Sequence, residues 1–127
     1  MHKFDLNNRT AIITGGAQGF GLDIAKRFLN SGAKVIIWDI DENELIKASK
    51  ELNSSNLSYH VVDVSNFKNI KETTEEITKS SNIDILVNNA GITGSTSALW
   101  DYDVDEWNKI VQINLMGTFN CCKCIVP

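Results

Sequence analysis

Apolar residues along the chain fall into short unbroken runs, separated by longer stretches in which they recur every three or four positions. The runs are TAIIT (Thr10 to Thr14), KVIIWD (Lys34 to Asp39), LSYHVVDV (Leu57 to Val64) and IDILVNN (Ile83 to Asn89). They are rich in β-branched residues and nearly continuous rather than alternating. Strands covered on both faces read this way, which predicts a parallel sheet.

The stretches between the runs have helical length and period. In the first, Phe20, Ile24 and Phe28 with Leu22, Ala25 and Leu29 predict one apolar stripe, stopped by Gly32. The second opens with DENELI, where Asp41 caps the helix and Glu44, three positions on, reaches back in a capping box with Asp in place of Ser or Thr. A third helix is predicted from about residue 65 to 81 and a fourth from about 104 toward 127. The order β-α-β-α-β-α-β-α, joined by right-handed crossovers, predicts a doubly wound layer structure. No repeat, low-complexity tract or linker interrupts it, and 127 residues, 43% of them hydrophobic, make one domain.

Composition narrows the partners. A net charge of −4 with scattered Lys and Arg argues against a nucleic-acid surface. The start, MHKFDLNNRT, has no apolar leader core, and no stretch approaches the roughly eighteen apolar residues of a membrane span. The expectation is a soluble, cytoplasmic protein without a membrane partner. The three cysteines, Cys121, Cys122 and Cys124, are an odd number with none elsewhere and no His nearby. They predict neither a disulfide framework nor a metal site, and read as small residues packed on a helix.

One polar interruption carries chemistry. TGGAQGFG, Thr14 to Gly21, ends the first strand and opens the first helix. A strand turning sharply into a helix exposes the first N–H groups of that helix and the positive end of its dipole, a site suited to a pyrophosphate. Glycines let a phosphate approach the backbone, although an isolated cluster would equally make a plain tight turn. Asp39 ends the second strand, eighteen positions past Gly21. In nucleotide-binding α/β folds an acid about 20 residues on accepts hydrogen bonds from the adenosine ribose. The bland alternative for Asp39 is a helix-start carboxylate beside Asp41. Gly15, Gly19 and Gly21 give G-x-x-x-G-x-G rather than G-x-G-x-x-G, and no Gly-Lys-Ser/Thr follows as in a P-loop.

T-G-x-x-x-G-x-G after the first strand, Asp39 ending the second, Asp63 and Val64 ending the third, NNAG (Asn88 to Gly91) ending the fourth and Asn114 within the fourth helix together resemble the classical short-chain dehydrogenase/reductase family. The resemblance covers the whole chain. DILVNNAGIT followed by DEWNKIVQINL looks like the branch of 3-oxoacyl-[acyl-carrier-protein] reductases and related polyol and sugar dehydrogenases. The resemblance implies the N-terminal part of a Rossmann-type doubly wound parallel sheet, strand order 3-2-1-4 with flanking helices. A sugar epimerase of the extended type would carry T-G-x-x-G-x-x-G, which Gly19 and Gly21 contradict.

The same resemblance implies roles. Gly15, Gln18, Gly19 and Phe20 would surround the pyrophosphate, and Gly21 would allow close packing of helix on strand. Asp63 and Val64 would contact the adenine, while Asn89, Ala90 and Gly91 would line the adenosine and nicotinamide-ribose side. Asn88 would tie neighbouring strands together through its amide. Asp39 accepts from the ribose 2′-OH of NAD and faces the 2′-phosphate of NADP with like charge, so NAD is the expected cofactor. Gln18 agrees, because members that prefer NADP often carry Arg there.

The family's reaction moves a hydride between nicotinamide and an alcohol or carbonyl carbon, with a Tyr as general acid/base, a nearby Lys, a substrate-holding Ser and an Asn that keeps a water in the proton path. Asn114 matches that Asn as the catalytic residue, and its amide would also satisfy backbone freed at a helix kink. Tyr59 is followed four places on by Asp63, and Tyr102 by Glu106, so no Y-x-x-x-K pair lies in these residues. In the family that pair and the Ser lie downstream on a fifth strand and helix. The 127 residues are therefore expected to be a cofactor-binding domain, truncated before the catalytic Tyr/Lys segment, that does not turn over by itself. Truncation after strand four would leave that strand as an open apolar edge. Ser95 and Ser97 read as loop residues, and Trp100 and Trp107 as packing. The full-length parent would act on a small-molecule alcohol/carbonyl pair and assemble as a tetramer. The alternative is a protein that binds a nucleotide without catalysis, as a sensor or interaction module.

Overall fold

The computed structural model describes residues 4–127. The first three residues of the N-terminal stretch lie outside the described residues. Four strands, β1 (Thr10–Thr14), β2 (Lys34–Asp39), β3 (Leu57–Val61) and β4 (Ile85–Val87), form one parallel sheet in the order β3-β2-β1-β4. Between them run α1 (Gly19–Asn30), α2 (Glu42–Leu52) and α3 (Phe67–Thr78). After β4 come a short 3₁₀ turn (Leu99–Asp101), α4 (Val104–Val111), a π turn (Gln112–Met116) and α5 (Gly117–Ile125).

The two central strands show why their sequences are apolar throughout. Side chains alternate between faces along a strand. Ile12, Ile36 and Trp38 point to one face and pack with Val62, Val64, Ile70, Ile77 and Cys121 from the α3/α5 layer. Ile13, Val35 and Ile37 point to the other and pack with Ala17, Ala25, Leu45 and Ala48 from the α1/α2 layer. Both faces are covered, so an alternating pattern would leave polar groups in a core.

Helix ends follow local chemistry. At the end of α1, Gly32 N donates to Leu29 O (3.0 Å) and Ala33 N to Phe28 O (3.1 Å), with Gly32 at φ +95°. This is the paired closure that a left-handed residue allows. At α2, Asp41 Oδ1 accepts from Glu44 N (3.1 Å), but the reciprocal half of the expected capping box is replaced, because Asp41 N donates to Asp39 Oδ1 (3.2 Å).

The structure revises several expectations. β3 stops at Val61 rather than Val64: Val62 N makes a last bond to Asp39 O (2.9 Å), and then Asp63 Oδ1 takes Ser65 N (2.9 Å) in a tight turn. β4 is likewise shorter than expected, because the N–H groups of Asn89 and Ala90 go to a side chain instead of a neighbouring strand. Phe20 does not belong to the apolar stripe of α1. It sits in the first turn, beyond the sheet, and is 83% exposed. Trp100 is not packed either: the 3₁₀ turn stands outside both layers and leaves it 85% exposed. Trp107 meets Tyr102 edge to face at 5.6 Å. The expected fourth helix is continuous in direction but interrupted by the π turn that contains Asn114. Among the described residues, β4 pairs only with β1, and no helix is long and apolar enough to cross a membrane.

Of the three thiols, Cys121 is fully buried in the α3/α5 core and the other two are half-buried. Burial pushes the Cys121 thiol up to about 12 from its ordinary 9.0, with Cys122 and Cys124 adding to the shift. The folded value lies above the unfolded one, so the stability gained by keeping this thiol neutral is complete below pH 9.0 and is lost as pH rises toward about 12. Cys121 then holds roughly a thousandth of an ordinary cysteine's thiolate. Brief iodoacetamide treatment of the folded chain at pH 8, read by peptide mass spectrometry, is expected to modify Cys122 and Cys124 and spare Cys121. Equal labelling of all three would contradict its burial.

Candidate functional site

A cleft of about 440 Å³ opens at the C-terminal ends of the strands. It lies where the chain order of the sheet reverses between β1 and β4, the usual ligand position in an open α/β sheet. The turn after β1 builds its floor. Gly15 and Gly19 have φ of +62° and +61°, values that a side chain resists. A Cβ at Gly19 would meet nothing within 4 Å, so the backbone there faces open space. Gln18, which begins α1, makes no side-chain cap, and the first turn of the helix holds no acidic residue. The helix therefore presents its positive end to the cleft without an internal counter-charge.

Gly21 has a different task. A Cβ there would strike the Gly15 carbonyl oxygen and lie 2.6 Å from Asn89 Nδ2. It lets α1 close against both the turn and the segment after β4. Gly15 in turn comes so near that segment that a Cβ would lie 2.9 Å from Ala90 Cα.

Thr14, only 1% exposed, is the hub of this approach. Its Oγ1 accepts from Asn89 N (3.0 Å) and Ala90 N (2.9 Å) and donates to Val87 O (3.4 Å). Asn89 Nδ2 donates to Gly15 O (3.1 Å). The strand tie expected of Asn88 is thus made by Asn89, while the Asn88 amide reaches Cys122 Sγ at 3.4 Å on α5.

Asp39 stands at the mouth of the cleft with both oxygens engaged: Oδ2 accepts from Ala17 N (3.3 Å) and Oδ1 from Asp41 N (3.2 Å). The bonds fix the direction of the carboxylate from the turn on one side and from α2 on the other. Opposite it, Asp63 and Val64 form a wall. Asp63 N donates to Asn69 Oδ1 (2.9 Å), and Asp63 Oδ1 accepts from Ser65 N and Oγ (2.9 and 2.6 Å).

The structure gathers Gly15, Gln18, Phe20, Asp39, Asp63 and Val64 around this one cleft, and Asn89, Ala90 and Gly91 along its far side. Gly19 and Gly21 belong to the turn but do not line the cleft surface. Trp38, Ile40, Val62, Ile92 and Ile113 also line it and were not anticipated; as apolar strand and helix residues they look like any core position. Asn114 lies just behind it. Its Oδ1 accepts from Ile92 N (2.8 Å) and its Nδ2 donates to Ile92 O (2.9 Å). The amide therefore crosses to the segment after β4 rather than serving its own helix, and Thr118 Oγ1 donates to the Asn114 carbonyl at the π turn (3.1 Å). Ser95 is a loop clamp: its N and Oγ donate to the Glu106 carboxylate at 2.7 and 2.8 Å.

Known proteins share this arrangement. The chain is similar to the 2-dehydro-3-deoxy-L-rhamnonate dehydrogenase (NAD(+)) of Sphingomonas sp. (strain SKA58), at 35% identity over 122 residues covering 94% of this chain and 47% of that protein. It is 36% identical over 125 residues to the 3-oxoacyl-[acyl-carrier-protein] reductase FabG of Chlamydia muridarum, covering 95% of this chain and 50% of that one. The solved Pseudomonas aeruginosa RhlG/NADP active-site complex superposes with a TM-score of 0.88 at 32% identity, over 100% of this chain and 50% of that one. The chain spans about half the length of the curated relatives it matches. With the glycine turn, the parallel sheet and the cleft in place, and with the short chain dehydrogenase model matching residues 9–127, the chain belongs to the short chain dehydrogenase family of oxidoreductases.

Proposed function

We propose that these residues are the NAD-binding part of an oxidoreductase that transfers a hydride between nicotinamide and a small alcohol/carbonyl pair. The observation that carries the choice of NAD is the Asp39 carboxylate, held by Ala17 N and Asp41 N at the mouth of the cleft. A fixed carboxylate accepts from a ribose 2′-OH and repels a 2′-phosphate. The relatives alone do not decide, since one is named for NAD(+) and another was solved with NADP.

The residues fit such a dinucleotide. The open backbone at Gly19 and the uncapped start of α1 suit a pyrophosphate, with Gly15, Gln18 and Phe20 around it. Asp63 and Val64 hold the adenine. Asn89, Ala90 and Gly91 line the adenosine and nicotinamide-ribose side. When bound, the nicotinamide supplies the hydride donor or acceptor. Asn114, tied to Ile92, keeps a water in the proton path. The Ser and Tyr-x-x-x-Lys that complete the family's chemistry are not among these 127 residues. The residues are accordingly a cofactor-binding domain whose turnover depends on residues beyond them, within a cytoplasmic and tetrameric parent.

The test is titration with NADH and NADPH, followed by dihydronicotinamide fluorescence. NADH is expected to bind at least about tenfold more tightly, and Asp39→Asn to shrink that preference by a similar factor by removing the repelling charge. Comparable binding of NADPH by the native protein would remove the NAD assignment. The second reading, nucleotide binding without catalysis, is favoured by the missing Tyr-x-x-x-Lys. It predicts NADH binding with no alcohol-dependent reduction of NAD by the full-length protein.

A further inference from the structure

The wall of the cleft at Val64 is held from behind by a helix that does not itself reach the base. Val64 is 7% exposed, lines the cleft, and its N–H has no partner among the described residues. Its carbonyl, by contrast, accepts from Asn120 Nδ2 at 3.0 Å. Asn120 is a polar side chain 6% exposed on α5, and this bond reaches across 56 residues of sequence. One turn earlier on the same helix, Gly117 lies so close that a Cβ would sit 2.7 Å from Val64 Cγ2 and 3.2 Å from its Cβ. Val64 is therefore fixed at its carbonyl and along its side chain, both from α5, while its one free backbone group is a donor.

A buried amide is retained in an otherwise apolar layer of Ile70, Ile77 and Cys121 at a desolvation cost, so its single strong bond carries an orienting task. Its neighbours along the wall are held independently: Asp63 N by Asn69, and Val62 N by Asp39 O. Only residue 64 depends on α5.

We infer that Asn120, with Gly117 leaving room, is the positioning residue of the base-reading wall: it holds Val64 so that the Val64 N–H meets an acceptor nitrogen of a purine. The inference rests on the nucleotide-binding reading above. A donor in this place distinguishes adenine, whose N1 is an acceptor, from hypoxanthine, whose N1 carries a hydrogen. Losing the anchor lets Val64 turn and blurs the distinction, whereas a loss of general stability weakens both bases together.

The experiment compares NADH with its hypoxanthine analogue, deamino-NADH, by fluorescence titration of the full-length protein, of Asn120→Leu and of Gly117→Ala. The native protein is expected to bind NADH about tenfold more tightly than the analogue, the worth of about one well-placed hydrogen bond. In both variants that ratio is expected to fall below about twofold, chiefly through weaker NADH binding. If Asn120→Leu does not fold, Gly117→Ala decides, because it displaces Val64 while leaving the amide in place. A native ratio preserved in a folded variant overturns the inference. So does a native protein that binds both dinucleotides equally. A native protein that binds neither overturns the nucleotide-binding reading itself, so the two failures are told apart by the native titration alone.

Discussion

Gly21→Val is expected to abolish measurable NADH binding, a loss of at least about a hundredfold, and to lower stability by roughly 1–3 kcal/mol. The added Cβ alone would strike the Gly15 carbonyl oxygen and approach Asn89 Nδ2 to 2.6 Å and Gly15 C to 2.9 Å. These are backbone atoms and an amide already bonded to that backbone, not the ends of flexible chains that can swing aside. Relief requires α1 to lift from β1. That movement breaks the 3.1 Å bond from Asn89 to Gly15 O and carries the start of α1 away from the cleft floor. Titration with NADH, run beside urea denaturation, checks both effects. A variant that binds NADH within about threefold of the native protein would show that the helix start does not hold the pyrophosphate.

Thr14→Val is expected to cost about 2–5 kcal/mol, a large share of the roughly 5–15 kcal/mol that stabilises a domain. Valine matches threonine in shape but removes the oxygen that accepts from both Asn89 N and Ala90 N. Two donors beside a 1% exposed side chain are then left without their acceptor, and the penalty for an unpaired buried group exceeds the net worth of the bond it made. Thr14→Ser keeps the hydroxyl and is expected to cost under about 1.5 kcal/mol, the methyl alone. Urea midpoints for the two variants provide the check. If they coincide, the hydroxyl is not what joins β1 to the segment after β4.

The central strands were legible because β1 and β2 are covered on both faces, so burial writes itself directly into composition. Asp39 and the glycine turn were legible because few residue types can do their work. What escaped the sequence was decided by partners distant along the chain. Residues 62–64 look like strand, yet Asn69 and Asn120 take their backbone groups and turn them into a wall. Thr14 reads as an ordinary β-former until two N–H groups arrive from 75 and 76 residues away. Phe20 keeps helical period with Ile24 and Phe28, but period is blind to where a helix overshoots the sheet it packs on. Asn114 was legible as a site residue, whereas the bonds that turn its amide to Ile92 and its carbonyl to Thr118 follow from a π turn that no residue pattern announces.

That π turn also sets a phase. Its five residues, Gln112–Met116, hold one more than regular α-helix would place in the same rise. Each residue of an α-helix rotates the rod by about 100°, so deleting one position here would swing everything from Gly117 onward by about that angle relative to α4. Gly117, Asn120 and Cys121, which now share a face, would leave the sheet together. A substitution in this segment alters one contact; a deletion turns a whole helix. Length is therefore as constrained as identity between Gln112 and Met116, and a one-residue gap in an aligned homologue marks a rotated helix and a displaced cleft wall, not a trimmed loop.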